Sequence, residues 1–296
     1  AGANHTWPHH FSGCAGAADR GPIRDPTGPV IQLSINLNKI ALIRNARDTR
    51  HPDPCEFAAE VIHAGAHGVT VHPRPDQRHI RAEDCVALGE TSLGFNPDRI
   101  AGQGAPAGIE FNIEGNPFAA AQPSSRDGVS DYPGFLQLAE AVRPDQVTLV
   151  PDADDQLTSD HGFDIARDGE RLAPVIEKLK SLGCRVSLFM DPDPSQIERI
   201  PALGADRIEL YTESYARAHE RGEFDTVLAQ FQEAAAAATA SGLGINAGHD
   251  LNLNNLRDFR IPNLLEVSIG HAFTIDALRW GIPETVRRYL ETLSAL

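Results

Sequence analysis

From residue 30 onward, short apolar runs alternate with longer stretches in which apolar side chains recur every three or four positions. The short runs predict strands at 31–37, 68–72, 108–113, 146–150, 185–190, 207–211, 244–246 and 265–269. Most are rich in Val, Ile and Leu, often at consecutive positions, as in strands buried on both faces of a parallel sheet. The periodic stretches predict helices at 53–63, 82–88, 132–142, 171–182, 194–203, 224–241, 253–257 and 274–293. The first opens with Asp53-Pro54, a capping side chain followed by a residue with no N–H to satisfy. Several helices end in glycine just where the next strand begins, at Gly65, Gly183, Gly204 and Gly242. Glycine takes the left-handed turn that stops a helix without steric cost. The recurring order of helix, glycine and strand is that of βα units.

Eight such units predict a (β/α)8 TIM barrel with extra helices, in the α/β class. An open doubly wound sheet would carry G-x-G-x-x-G after its first strand. Here that position reads Asn36-Leu37-Asn38-Lys39, and no Walker-type phosphate loop occurs. The segments 91–108 and 115–131 are rich in Gly, Pro, Ser and Asn, and loops of that length usually carry function or decoration.

Composition narrows the partners. The 296 residues are 41% apolar and 23% charged, enough for a sizeable core. A net charge of −15 with no block of Lys and Arg argues against nucleic acid. It would also repel anionic substrates, so any phosphate site must be built locally from helix N-termini, backbone N–H groups and a few Arg or His. Cys14, Cys55, Cys85 and Cys184 are too scattered for a disulfide framework or zinc site, and read as reduced thiols of a cytoplasmic protein. No apolar run is long enough for a membrane span. Residues 1–29 lack the features of a signal peptide and form an N-terminal extension, expected to be poorly ordered, ahead of a catalytic domain at 30–296. Three histidines in that extension, His5, His9 and His10, have no rigid frame to make a metal site.

Barrels of this kind place reacting groups at the C-terminal ends of their strands. Polar residues stand at every such end: Asn36 and Asn38; His72 and Arg74, with His79 further on; Glu114; the loop carrying Thr158; Asp191; Glu209 and Thr212; His249; and Gly270-His271. Burial beside a cation favours neutral imidazole, which suits His72 to act as a base. Glu114 follows Phe111 and Ile113, and such surroundings raise a carboxyl pKa. Gly270-His271 opens the last helix, whose N–H groups and dipole suit a phosphate. The acidic loop 152–160 reads as solvated chain or as a mobile cover. Arg44 and Arg47 belong either to an exposed helical face or to a phosphate clamp. Glu209 and Asp191 are left open between structural and chemical roles.

These motifs, in this order, resemble the pyridoxine 5'-phosphate synthase family from about Leu33 to the C-terminus. The resemblance rests on the runs from Ile40 to Arg47 and from Gly68 to Arg74, on Arg78-His79-Ile80, and on the run from Phe111 to Gly115. It continues through Leu149-Val150-Pro151, the run from Val186 to Phe189, the run from Asn246 to His249, and Ile269-Gly270-His271-Ala272. It implies condensation of 1-deoxy-D-xylulose 5-phosphate with 3-amino-2-oxopropyl phosphate, without metal or redox cofactor, in a homo-octamer. By the same resemblance His72 and Glu114 match the family's general bases and His249 its proton donor. Arg74, His79 and Thr158 match positions that hold the deoxyxylulose phosphate, and Asn36, Arg47, Gly270 and His271 positions that hold the aminoketone phosphate. Asn38-Lys39 stand where some members carry Asp-His, and Asp250 where some carry Gly; all three are expected beside substrate.

The residues alone leave competitors. A Schiff-base aldolase would need a lysine in the mouth, where only Lys39 lies near a strand end, and a non-catalytic barrel would tolerate loss of His72 and His249.

Overall fold

The computed structural model describes residues 30–47, 49–95, 108–153, 156 and 158–296. The expectations for the N-terminal extension, and for much of the segment 91–108, lie outside these residues. Eight parallel strands close into a barrel in sequence order, with β8 paired to β1. They are β1 (Gln32–Asn36), β2 (Gly68–Val71), β3 (Glu110–Gly115), β4 (Gln146–Leu149), β5 (Arg185–Met190), β6 (Arg207–Tyr211), β7 (Gly244–Gly248) and β8 (Leu264–Ile269). All eight predicted strands are present. The third and seventh run two residues further than predicted, so Glu114 lies within β3.

The strands are not apolar on both faces, as the sequence suggested; they alternate. The register aligns Ile35 with Val69, Val69 with Phe111, Ile113 with Val147, and Leu188 with Ile208. These side chains are buried in one continuous core with helical residues such as Ala58, Val61, Leu138, Leu172 and Phe231. The intervening positions align polar with polar: Asn36 with Thr70, Thr70 with Asn112, Glu114 with Thr148, Thr148 with Ser187, and Glu209 with Asn246. Most of their side chains bond to one another across the barrel interior, whereas the buried Ser187 Oγ has no partner. The Ser34 and Thr70 hydroxyls are 2.8 Å apart, and the Thr148 hydroxyl donates to Asn112 Oδ1 at 3.2 Å. A buried polar group without a partner costs about 1–3 kcal/mol, so the network carries most of this lining and Ser187 is an exception to it.

The lower end of the interior is charged and paired. Arg207 donates to Glu266 Oε2 at 3.1 Å and to Asn246 Oδ1 at 3.0 Å. Arg185 donates to Gln146 Oε1 at 2.9 Å and ion-pairs with Glu110.

The surrounding helices are α1 (Asn38–Asn45), α2 (Pro54–His63), α3 (Ala82–Phe95), α4 (Phe135–Val142), α5 (Ile165–Ser181), α6 (Pro194–Ile197), α7 (Glu213–Glu220), α8 (Asp225–Ala240), α9 (Leu253–Leu256), α10 (His271–Trp280) and α11 (Ile282–Leu293). Asp53 caps α2 through the Cys55 N–H at 2.8 Å, and the four predicted terminator glycines all have positive φ. The predicted helix at 274–293 is two helices, divided at Gly281 (φ 77°). The one at 194–203 is α6 followed by a 3-10 turn at Ile200–Leu203. Two helices, α1 and α7, are additions to the sequence reading. Neither N-terminus has a side-chain cap; at α7 the Thr212 hydroxyl instead donates to the Gly248 carbonyl at 2.9 Å.

Candidate active site

The C-terminal ends of the strands bring most of the candidate side chains to one rim. His72, directly after β2, is buried. Its backbone N–H donates to Asn38 Oδ1 at 2.9 Å. The Asn38 N–H donates in turn to Asn36 Oδ1 at 3.0 Å, and Asn36 Nδ2 donates to Glu114 Oε2 at 3.4 Å. The first turn of α1 thus ties β1, β2 and β3 together at the mouth.

The His72 ring lies between two carboxyl groups. Nδ1 is 3.7 Å from Glu114 Oε2, and Nε2 is 3.2 Å from Asp152 Oδ2. The two carboxyls are held differently. Burial, with Glu209, Asp152 and Glu266 nearby, pushes Glu114 well above the ordinary carboxyl range. Burial also works against charge on Asp152, but the hydrogen bond from His72 and the Arg74 guanidinium outweigh it and hold Asp152 below its usual value. Arg74 is itself buried. It donates to Asp152 Oδ2 at 2.5 Å and to the Gln156 carbonyl at 3.0 Å, and Arg78 donates to that carbonyl at 2.8 Å. His79 lies edge-on to His72 with ring centroids 6.4 Å apart. Its Nδ1 accepts the Ile80 N–H at 2.9 Å, which places its proton on Nε2. Burial, then His72, Arg74, Lys39 and Arg78, push that imidazole far below its ordinary value, so it is neutral.

A second cluster faces it across the rim. His249 Nδ1 is 2.9 Å from Asp250 Oδ2, Nε2 is 2.9 Å from the Thr158 hydroxyl, and the ring stands edge-on to Tyr211 at 4.9 Å. His249 and Asp250 adopt φ of 80° and 59°, a left-handed conformation that costs non-glycine residues about 1–2 kcal/mol each. The turn persists because its carbonyls are all claimed: Thr212 donates to those of Gly248 and His249, and Asn255 Nδ2 to that of Asp250 at 3.0 Å. The hydrogen bond from His249 lowers the Asp250 pKa, as does the charge of His271. His271 itself is exposed at the first turn of α10, and Gly270 precedes it as N-cap.

Between the clusters, buried Glu209 projects from β6. Burial raises its pKa to about 7, against the charge of His249 and a hydrogen bond from Thr148. Gly248 makes room for it: a Cβ there would lie well inside van der Waals contact of Glu209 Oε1. The apolar side chains Val150, Phe189 and Tyr211 form a small cluster of their own, separate from the main core. Buried carboxyls against apolar and like-charged neighbours are where acid–base chemistry is commonly found.

The remaining candidates are held differently. Arg44 turns inward and is buried on Asp84 through contacts of 2.5 and 2.8 Å, a structural pair rather than a clamp. Arg47, one turn on, is exposed beyond the end of α1, and its side chain makes no hydrogen bond or ion pair among the described residues. Lys39 is half-buried in the first turn of α1 and acts on His79 through its charge. Asp191 accepts the Gly162 N–H at 3.2 Å and supports the loop after β4. Asp152 is the residue the sequence reading missed. An acidic stretch with Pro151 looks solvated, yet here one of its members is buried on Arg74 and His72.

Fold and site together define a (β/α)8-barrel enzyme with a buried His–carboxyl centre at the barrel mouth. Among the described residues, no group of three or more His, Cys, Asp or Glu is arranged to hold a metal ion, and no helix is long and apolar enough to cross a membrane. The model of the family described as pyridoxal phosphate biosynthesis protein PdxJ matches residues 33–295, and the chain belongs to that family. The pyridoxine 5'-phosphate synthase of Xanthomonas campestris pv. campestris (strain B100) is 54% identical over 264 residues, 88% of this chain and 96% of that protein. That of Xylella fastidiosa (strain 9a5c) is 48% identical over 267 residues, 90% of this chain and 95% of that protein. Among solved structures, thiamine phosphate pyrophosphorylase from Pyrococcus furiosus aligns with TM-score 0.51 at 11% identity, covering 90% of this chain and 96% of that one. KGPDC from Streptococcus mutans aligns with TM-score 0.53 at 8% identity, covering 90% and 98%. At such identity the likeness concerns the barrel alone.

Proposed function

We propose that this chain is a pyridoxine 5'-phosphate synthase, a transferase-class ring-closing enzyme working without metal or redox cofactor. It joins 1-deoxy-D-xylulose 5-phosphate to 3-amino-2-oxopropyl phosphate, giving pyridoxine 5'-phosphate, one phosphate and two waters. The carrying observation is His72 held between a carboxyl of raised pKa, Glu114, and an ionised one, Asp152, at the barrel mouth.

The reaction needs an imine from amine and ketone, proton removal from carbon, and protonation of leaving oxygens. Glu114 and His72 suit the first two tasks. A positioned acid or base typically contributes about 10²–10⁴-fold, and the raised pKa of Glu114 makes it a stronger base than an ordinary carboxylate. His249, braced by Asp250 and Thr158, protonates the departing oxygen. Arg74, His79 and Thr158 hold the pentulose phosphate, with Asn38 and Lys39 beside them; Arg74 must then exchange Asp152 for phosphate. Asn36 and the α10 N-terminus at Gly270-His271 take the aminoketone phosphate, near Asp250. Arg47, exposed just beyond α1, is offered to the same phosphate. Glu209, left open by the sequence between structural and chemical roles, is a second carboxyl of raised pKa for the proton inventory.

We further propose assembly as a homo-octamer in the cytoplasm. Exposed Leu42 and Ile43 on α1, and Ile275, Leu278 and Trp280 on adjoining α10, give an apolar surface that a partner would cover. The test of function is incubation with both substrates while following pyridine absorbance and free phosphate. One phosphate per pyridine is expected, and absence of both overturns the proposal.

A further inference from the structure

We propose that Asp152 is the positioning residue for His72, fixing the ring with Nε2–H on the Asp152 carboxylate and Nδ1 turned toward Glu114 and the barrel interior. This deepens the reading of His72 as a base and rests on it.

Asp152 lies in the connection between β4 and α5 and is 6% exposed. Its Oδ2 atom accepts from Arg74 at 2.5 Å and lies 3.2 Å from His72 Nε2. Its carbonyl accepts Asn116 Nδ2 at 2.6 Å. The carboxylate is therefore anchored by the connection after β2 and its main chain by the connection after β3. An ionised carboxylate has only lone pairs to offer, so the imidazole nitrogen facing it must carry hydrogen. In a neutral ring this leaves the lone pair on Nδ1. That atom faces Glu114 Oε2 across 3.7 Å, a gap too long for a hydrogen bond and therefore available for exchange with a reacting group. Asn38 fixes the other end of the residue by accepting its backbone N–H. Ring and main chain are thus held by separate elements. Among the described residues, the groups facing the ring are His79 from the connection after β2, Glu114 from β3, and Asp152 from the connection after β4, with Arg74 on the far side of the Asp152 contact. Among the described residues, only Asp152 is an ionised acceptor within reach of Nε2.

The logic is that of the carboxylate behind a catalytic histidine in hydrolase triads, where the carboxylate selects the tautomer without taking the proton. A competing reading makes Asp152 only a counter-ion that keeps Arg74 in place. The two differ in what the isosteric amide does. The side chain introduced by Asp152→Asn would still fill the space and accept one hydrogen bond, but it would no longer require hydrogen on Nε2.

The test has two arms. In ¹⁵N-histidine NMR of the wild-type protein, with His72 assigned by loss of its signals in His72→Gln, neutral His72 is expected as the Nε2–H tautomer. In Asp152→Asn the population shifts toward Nδ1–H, and kcat falls about 10²–10⁴-fold with KM within about threefold. An Nδ1–H tautomer in the wild type overturns the proposal, even where the variant does not fold. Raised KM with unchanged kcat also overturns it, because the role then lies with Arg74. The NMR arm needs no turnover. Failure of the proposed reaction therefore leaves it intact, and a correct tautomer in a protein inactive on these substrates rejects only the reaction.

Discussion

The two faces of the same eight strands obey opposite rules. Facing the helices, Leu33, Ile35, Val69, Phe111, Ile113, Val147 and Leu188 are at most 1% exposed and belong to one core. Facing the interior, the intervening positions carry Ser34, Thr70, Asn112, Glu114, Thr148, Ser187, Glu209 and Asn246, nearly as deeply buried. Burial alone does not say what a position is for. Outside the barrel it is the product of folding and stabilises the molecule. Inside, it is a condition imposed on polar groups, and it sets the protonation states the chemistry would use. Residues 113 and 114 stand next to each other on β3 and fall on opposite sides of this division.

That pair gives the sharpest way to break the comparison. Glu114→Gln keeps shape while removing the proton site, so turnover at saturating substrates is expected to fall about 10²–10⁴-fold, about 3–5 kcal/mol in the barrier, with little change in Tm. Near-normal turnover would remove Glu114 from the chemistry. Its neighbour should behave in reverse. Ile113→Ala leaves a cavity in the outer core and should cost about 2–5 kcal/mol in denaturant unfolding, while kcat per folded molecule changes little. A large kcat loss with unchanged stability would mean that the outer face also tunes the site.

Glu209→Gln tests the cost of the inner face. A carboxyl raised in the folded state contributes stability fully below its unfolded pKa of about 4.5, and loses it as pH rises through about 7. Wild-type Tm should therefore fall relative to the Gln variant between pH 5 and pH 8, by roughly 3–6 °C. Parallel Tm curves would show that Glu209 is not raised.

How far the sequence revealed this arrangement depends on range. Strand positions were legible because Val, Ile and Leu mark them locally, and the rim because polar residues close so many strands. The inner lining was harder to read. Consecutive pairs such as Leu149-Val150 and Leu188-Phe189 look like strands buried in apolar surroundings on both sides, whereas Val150 and Phe189 join Tyr211 in a separate patch at the mouth. Arg44 and Arg47 could not be told apart while α1 was unseen, and α1 was unseen because it starts directly from β1 without a side-chain cap. Asp152 was hidden for another reason. Its burial is set by Arg74, a residue 78 positions earlier, and no local pattern around Pro151 carries that information.

The void at Gly248 couples two positions that the chain keeps far apart. Any side chain added there would have to displace the Glu209 carboxyl from its seat beneath His249. Substitution at either place thus changes what the other can tolerate, and a larger residue at 248 is accommodated with the acid at 209 moved, shortened or lost.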